Sequence, residues 1–278
     1  MQILFQKPTL KKLKRQGLTY VDMHYHTSAS DSSANLFLTL QRAKLMKAGI
    51  AITDHNDIKA AVKASQHKNI LIIPGIEVTS YDYMDLLIYF YNMEDLKHFF
   101  ITHIYGQTRP NRGFDYNRSK YNMKELLNVL DNYKCVKALA HPFISNPQTS
   151  YYYFDSHKQL LKKIDAIEGL NSLLTPEQNR KAIEWAKKIK KPVIGGSDAH
   201  TIYHLGKVFT ISEDSTIESF LDSIKKNKHV VMGEHVTGLS RWYAGLIIFK
   251  NNLRLRLKEE VDTFKEKSKA RIKKLKGL

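Results

Sequence analysis

Two histidines, His24 and His26, stand two apart in the segment VDMHYHTSASD. On a strand that spacing points both imidazoles to one side, where they can grip a single metal ion. Asp31 follows within the same segment, close enough to add a carboxylate oxygen. The pairing recurs late in the chain, where VIGGSDAH brings Asp198 and His200 two apart. Gly195 and Gly196 just before them would let backbone approach something closely. Between these ends lie AITDHND with His55, PGIE with Glu77 and VKALAHPF with His141. Each of these residues follows an apolar run, at the point where a strand gives way to a loop. Five of the twelve histidines and three carboxylates fall at such places. A pocket gathering neutral imidazoles and carboxylates is a multi-metal ligand set, able to hold two or three divalent ions with Glu77 or a water between them. Without cations its members would leave one another unsatisfied. Asp54 or Asp57 is expected to cap the next helix.

The elements that must position these residues follow from apolar patterning. Strands are expected at 19–24, 50–53, 69–78, 86–91, 136–141, 165–170, 192–197 and 207–211. Helices are expected at 37–48, 57–67, 94–103, 123–131, 176–189 and 216–225. Strands alternating with helices predict a parallel α/β sheet. About seven such units before residue 235 favour a closed barrel, whose strand ends share one face. Residues 246–257 read as a hairpin about Asn251 and Asn252, followed by a basic helix with the apolar stripe Val261, Phe264, Ile272 and Leu275. The expected organisation is a basic N-terminal extension (1–17), a barrel domain (18–235) and a C-terminal hairpin plus basic amphipathic helix (236–278).

The succession VDMHYHTSASD, AITDHND, PGIE, LAHPF and GGSDAH resembles the PHP (polymerase and histidinol phosphatase) superfamily, over roughly residues 18–211. That resemblance implies a distorted seven-stranded (β/α) barrel. It implies two or three divalent ions (Mn²⁺, Fe²⁺ or Zn²⁺) and phosphoester hydrolysis. It carries over His24, His26, Asp31, His55, Glu77, His141, Asp198 and His200 as ligands. Many members have a histidine on the strand after the glutamate motif. Here YMDLLIYFY offers Asp85, an oxygen ligand that slightly favours manganese. Small members of the family include nucleotide phosphatases and exonucleases acting on nucleic-acid ends.

Such a ligand set predicts hydrolysis through a hydroxide held between two metal ions, with Glu77 and Asp198 at the reacting centre. His204 is a candidate proton donor to the leaving group. The segment YGQTRPNRGFDYNRSKY is basic and aromatic. Arg109, Arg112, Arg118 and Lys120 are expected to clamp phosphate there, and Tyr105, Phe114 and Tyr116 to stack on a base. Asn171 is a further candidate for substrate contact. The expected substrate is a phosphorylated small molecule or a nucleic-acid end. The alternatives are a metal-dependent amidohydrolase and a non-catalytic binding module.

Composition narrows the field. The chain has 278 residues, 42% of them hydrophobic and 26% charged, which excludes a wholly disordered or fibrous chain. No apolar run nears the roughly 20 residues of a membrane span. The single cysteine, Cys135, cannot form an internal disulfide and points to a reducing cytoplasm. It also excludes a zinc finger or iron–sulfur cluster, so any metal must be held by His, Asp and Glu. The net charge of +17 sits mostly at the ends. Residues 1–15 hold five basic side chains and no acid, and residues 250–278 hold eleven basic and four acidic ones. A positive body attracts anionic partners, and the basic tail mildly favours a polyanion.

Overall fold

The structure, a computed structural model, describes residues 2–106, 108–109, 118–144 and 149–275. In chain order the elements begin β1 (Gln2–Phe5), α1 (Leu10–Arg15), β2 (Thr19–Tyr25), α2 (Leu36–Met46), β3 (Gly49–Ile52) and α3 (Lys59–Ala64). Next come β4 (Ile72–Thr79), β5 (Asp85–Phe90) and α4 (Met93–Phe99), which runs into a π turn (Phe100–Ile104). The short strands β6 (Thr108–Arg109) and β7 (Arg118–Ser119) precede α5 (Met123–Leu130), β8 (Cys135–Leu139) and α6 (Ser150–Ser156). After a 3₁₀ turn (Lys158–Lys163) follow β9 (Ala166–Asn171), α7 (Pro176–Lys188) and β10 (Val193–Gly196). A second 3₁₀ turn (Ile202–His204) leads to β11 (Val208–Ser212), α8 (Ile217–Lys225), β12 (Val230–Gly233) and the long α9 (Gly238–Leu275).

The expected seven-stranded barrel is not what forms. Ten strands make one curled half-barrel sheet in the order β1-β12-β11-β2-β3-β4-β5-β8-β9-β10, and β6 pairs only with β7. The expectation failed for two reasons. QILF and VVMG are too short to stand out by pattern, yet β1 and β12 pair in parallel and extend the sheet beyond β11. The sheet is also mixed, because β4–β5, β5–β8, β11–β2 and β11–β12 are antiparallel. Residues 80–84, between β4 and β5, are too few for the crossover that a parallel neighbour demands. The curl brings β10 against β2 and β11 without a ladder. Thr210 Oγ1 accepts from Gly195 N at 3.0 Å, Ser197 N donates to Asp22 Oδ1 at 2.8 Å, and Asp198 N donates to His24 O at 2.7 Å. Gly196 makes this approach feasible, since a Cβ there would lie 2.4 Å from His24 Cβ and 2.5 Å from its backbone nitrogen.

Both faces of the sheet are covered, which is why its strands read as apolar runs. One face carries Ile50, Ile52, Ile76, Leu86 and Ile88 in the main core. The other carries Val21, Met23, Ala51, Ile73, Leu87 and Tyr89 and is packed with Phe220, Leu221 and Ile224 of α8. Helix starts are set locally. Asn35 accepts from the backbone of Phe37 and Leu38, and Asn122–Glu125 and Thr175–Gln178 form reciprocal capping boxes.

The hairpin expected at 246–257 is also overturned, because these residues lie inside α9. The alternation in LRLRLK imitates a strand. Asn-Asn, however, lacks the glycine of the favoured tight turn, and Leu, Arg and Lys are strong helix formers.

Candidate metal centre

Six strands and the loops that follow them deliver the cluster to one rim. His24 and His26 come from the end of β2, with Asp31 from the loop beyond. His55 follows β3, and Glu77 sits near the end of β4. His141 follows β8, and Asp198 and His200 follow β10. Asp85 stands at the start of β5, and β5 runs antiparallel to β4, so its first residue pairs with Thr79 and reaches the same rim. Four overlapping groups result. They are His26, Asp31, His55 and His200; His24, Glu77 and His141; His24, His26 and Asp198; and His55, Glu77 and Asp85. All nine sequence-predicted ligand residues are thus brought together. These clusters are capable of holding divalent ions.

Distances across the cluster are those of ligands sharing an ion. Glu77 Oε2 lies 3.1 Å from His24 Nε2, 3.2 Å from His26 Nε2 and 3.4 Å from His55 Nε2. Asp198 Oδ1 lies 3.4 Å from His24 Nε2 and 3.3 Å from His26 Nε2, and these two nitrogens are 3.0 Å apart. Donors about 2.1 Å from an ion stand about 3.0–3.4 Å from each other. Three imidazoles have Nδ1 engaged, which leaves Nε2 facing the cluster. His24 Nδ1 donates to Glu168 Oε1 at 2.8 Å, and His200 Nδ1 donates to Asp198 O at 2.8 Å. His55 Nδ1 lies 3.3 Å from Thr79 Oγ1, whose hydroxyl donates to Asp85 Oδ1 at 2.6 Å. Outer partners of this kind fix the tautomer of a ligating imidazole. His26 Nδ1 and Glu77 Oε1 are buried with no hydrogen-bond partner, although His141 Nε2 lies 3.2 Å from Glu77 Oε1. An unpartnered imidazole nitrogen and an unpartnered carboxylate oxygen in one buried cluster fit a set of divalent cations.

Electrostatics point the same way. Burial opposes the charged form of His26, yet Asp198, Glu77 and Asp31 outweigh it and raise its pKa to about 10. His141 is likewise raised to about 9, against burial, by Glu77, Asp85 and Asp198. Burial opposes ionisation of Glu77 and Asp198 as well, but the surrounding imidazoles hold both carboxyls well below their ordinary range. Burial and the neighbouring Glu77 push Asp85 up. The carboxylates demand positive charge, which protons supply unless metal ions do. The backbone is strained at two of these positions, with φ of +26° at His141 and +51° at Asp198.

Several supporting residues escaped the sequence reading. Glu168, fully buried on β9, orients His24 through one oxygen and accepts from His141 N at 2.8 Å through the other. Its signal was present as a lone acid inside the apolar strand segment AIEGLN. Asp22 is buried before the histidine pair. Burial raises its pKa to about 6 against the pull of bonds from Ser197, Gly206 and His24. Asp54 does not cap a helix. It is buried and accepts from Thr27 N at 2.7 Å, Thr27 Oγ1 at 2.7 Å and Ser30 Oγ at 2.6 Å, which shapes the loop that carries Asp31. Asp57 accepts from Lys59 N at the start of α3.

The other predicted site residues lie as follows. Asn171 is buried, with Nδ2 donating to Glu168 Oε2 at 3.1 Å and Asp198 Oδ2 at 3.0 Å, so its amide ties the supporting Glu168 to Asp198. His204 is buried in the 3₁₀ turn after His200 and belongs to none of the four groups. Burial, Lys207 and His200 push its pKa down, which suits a proton acceptor better than a donor. Arg118 donates to Tyr81 O at 2.7 Å and stacks 3.8 Å from the Tyr83 ring centre, beside the loop that leads to Asp85. Lys120 lies over the Tyr121 ring. Arg109 is placed only through the pairing of β6 with β7. Arg112, Phe114 and Tyr116 lie outside the described residues.

Comparison with known proteins agrees with this geometry. Residues 176–229 match the family described as PHP-associated. An uncharacterized protein of Methanocaldococcus jannaschii is 25% identical over 252 residues, covering 84% of this chain and 93% of that protein. Among solved structures, one is a two-domain protein from Bacteroides vulgatus containing a predicted PHP-like metal-dependent phosphoesterase. It superposes with a TM-score of 0.56 at 14% identity, over 84% of this chain and 69% of its own. The lesion-specific endonuclease Q of Pyrococcus furiosus superposes with a TM-score of 0.58 at 19% identity, over 77% of this chain and 57% of its own. The chain thus shares the fold of these solved structures, and its rim clusters histidines and carboxylates that could hold metal ions.

Proposed function

We propose that this chain is a metal-dependent phosphoesterase that cleaves a phosphomonoester or the terminal phosphodiester of a nucleotide or oligonucleotide. The observation that carries it is the convergence of five imidazoles and four carboxylates on one rim, with Nε2 atoms turned inward and spaced as shared ligands. In this reading the overlapping groups would hold two or three divalent ions, manganese, iron or zinc. Bound there, they would acidify water and neutralise charge on phosphate oxygens.

The chain's own residues have distinct tasks in this reading. Glu77 is central, since its two oxygens face four imidazoles, and it would help hold the ions in place. Asp198 faces His24 and His26 and is aimed by Asn171. His24 is held in one tautomer by Glu168. Asp31 is held by His200 at 2.7 Å. No nucleophilic side chain is required. Cys135 is buried in β8, and burial pushes its thiol up to about 12. The substrate's remaining charge would fall to Arg118 and its basic neighbours at the rim. A cytoplasmic setting accords with the lone buried thiol, and no helix among the described residues is long and apolar enough to cross a membrane.

The test is metal analysis of protein purified without chelator, joined to hydrolysis of p-nitrophenyl phosphate, its diester analogue and short 5′-phosphorylated oligonucleotides with added Mn²⁺. Two or three ions per chain and chelator-sensitive phosphate release are expected. Amide hydrolysis without phosphoester hydrolysis, or no metal under any reconstitution, would overturn the reading.

A further inference from the structure

The long helix α9 is two-faced. One face is anchored to the body. Arg241 Nε donates to Leu173 O at 2.6 Å, and Ala244 is buried with Leu173 and Val236. Asn251, itself buried, donates from Nδ2 to the backbone carbonyl of Asp31 at 2.9 Å. The helix therefore crosses the body beside the loop that supplies Asp31 to the metal centre. Its other face carries Leu239, Trp242, Leu246, Leu253, Leu257 and Val261, which are 39–78% exposed. A contiguous apolar stripe of this size on a soluble surface marks a site of contact.

Two features identify the contact. The first is the repeat. From Leu239 to Val261 the stripe advances 22 residues in six turns. That is close to the repeat of the straight α-helix itself. A two-stranded coiled coil needs a shorter repeat, and a straight helix of this length drifts roughly 60° from such a seam. A stripe that stays on one side of a straight helix matches a flat surface. The second feature is charge. Residues 250–278 hold eleven basic side chains against four acidic ones, among them Lys250 and Arg254 beside the stripe. A second copy would press these like charges together. A nucleic acid would use the charge but leave the apolar stripe in water. An anionic lipid surface uses both, with apolar side chains among the acyl chains and basic ones at the headgroups. The helix is too polar to cross a bilayer, so it would lie in the plane of one.

We infer that α9 lies on an anionic lipid surface and holds the metal centre beside it. The inference does not depend on the hydrolase reading.

The protein carries its own reporter. It has two tryptophans, of which Trp185 is 4% exposed and Trp242 63% exposed. A change in emission on binding is therefore a change at Trp242. The experiment mixes the full chain with vesicles of phosphatidylcholine, with or without phosphatidylglycerol, and follows tryptophan emission and co-sedimentation. A blue shift and sedimentation are expected with the anionic vesicles. Binding to the neutral ones should be weaker by about tenfold or more, and added salt should narrow the gap. Leu246→Glu with Leu257→Glu should abolish both signals while far-UV circular dichroism and melting temperature stay unchanged. Neither shift nor sedimentation with anionic vesicles would overturn the inference. So would a blue shift that appears on concentrating the protein alone, with the mass of a dimer and no vesicle binding. A shift produced by an oligonucleotide but not by vesicles would overturn it in favour of nucleic acid.

Discussion

The metal rim and the outer face of α9 both place side chains in the less favourable solvent, in opposite senses. At the rim, charged groups are withdrawn from water. His24, His26, Asp31 and Glu77 are at most 1% exposed, yet nearly every polar atom faces an opposite charge or a donor. On α9, large apolar side chains stand in water and nothing among the described residues covers the stripe as a whole. The rim is specified by six strands and by partners far apart in sequence. The stripe is specified by one helix and its own repeat. Buried charge is tolerable only where many elements agree on its geometry, so substitutions should cost much at the rim and little on α9.

The largest effect is expected for Asp198→Ala. It removes an oxygen shared by His24 and His26 and the acceptor of the Asn171 amide. Phosphoester turnover should fall by roughly 10³-fold or more, with loss of bound metal on elemental analysis, since each ion supplies several kcal/mol. Wild-type turnover and metal content in this variant would break the comparison at its centre.

Gly196→Ala follows. The new Cβ meets His24 backbone, which cannot swing aside as a side-chain tip can. A loss of about 3 kcal/mol in chemical denaturation is expected, together with weaker metal binding. Glu168→Gln keeps the shape of the side chain but weakens the hold on the His24 proton. Metal affinity by titration calorimetry should drop by about 10–100-fold while the fold is retained.

Removing metal should expose the stored charge. In the folded state His26 and His141 keep their protons to about 10 and about 9, whereas an ordinary imidazole releases its proton near 6.5. Across that window the folded state binds more protons than the unfolded one. Their stabilisation is therefore complete below about pH 6.5 and is lost as pH rises through 9 to 10. The melting temperature of chelated protein should fall between pH 7 and pH 10, and metal should flatten that fall. The smallest effect belongs to α9, where Leu253→Glu should change unfolding free energy by less than about 0.5 kcal/mol. A large destabilisation there would mean that the stripe is covered by the protein itself.

Much of the rim is legible in the sequence, because candidate ligands announce themselves by type. A histidine or carboxylate directly after an apolar run is unusual, and repeated occurrences in one order define a site. The supporting shell was harder to see. Glu168 and Asp22 look like single acids in apolar strands, and only the fold shows that each serves a neighbour from another strand. Asp54 was expected at a helix cap because caps are local and common. Its real partners, Thr27 and Ser30, lie about 25 positions earlier in the chain. The hairpin expected within 246–257 failed because period-two alternation over a few residues does not outweigh helix propensity sustained over many turns.

Chain order and residue chemistry alone determined that apolar strands alternate with helices, that a set of imidazoles and carboxylates gathers at strand ends, and that the tail is basic and amphipathic. Strand neighbours, sheet closure and direction were decided only in three dimensions. β1 joins β12 from the far end of the chain, and β5 turns back along β4, which sets Asp85 at the rim from the start of a strand instead of its end. The physical reason is that periodicity reports which face of an element is buried, whereas pairing depends on contacts between segments that carry no mark of each other in sequence. The metal centre is where the two meet, with its ligands chosen locally and their 3 Å spacing set by the curl that seats Gly196 against His24.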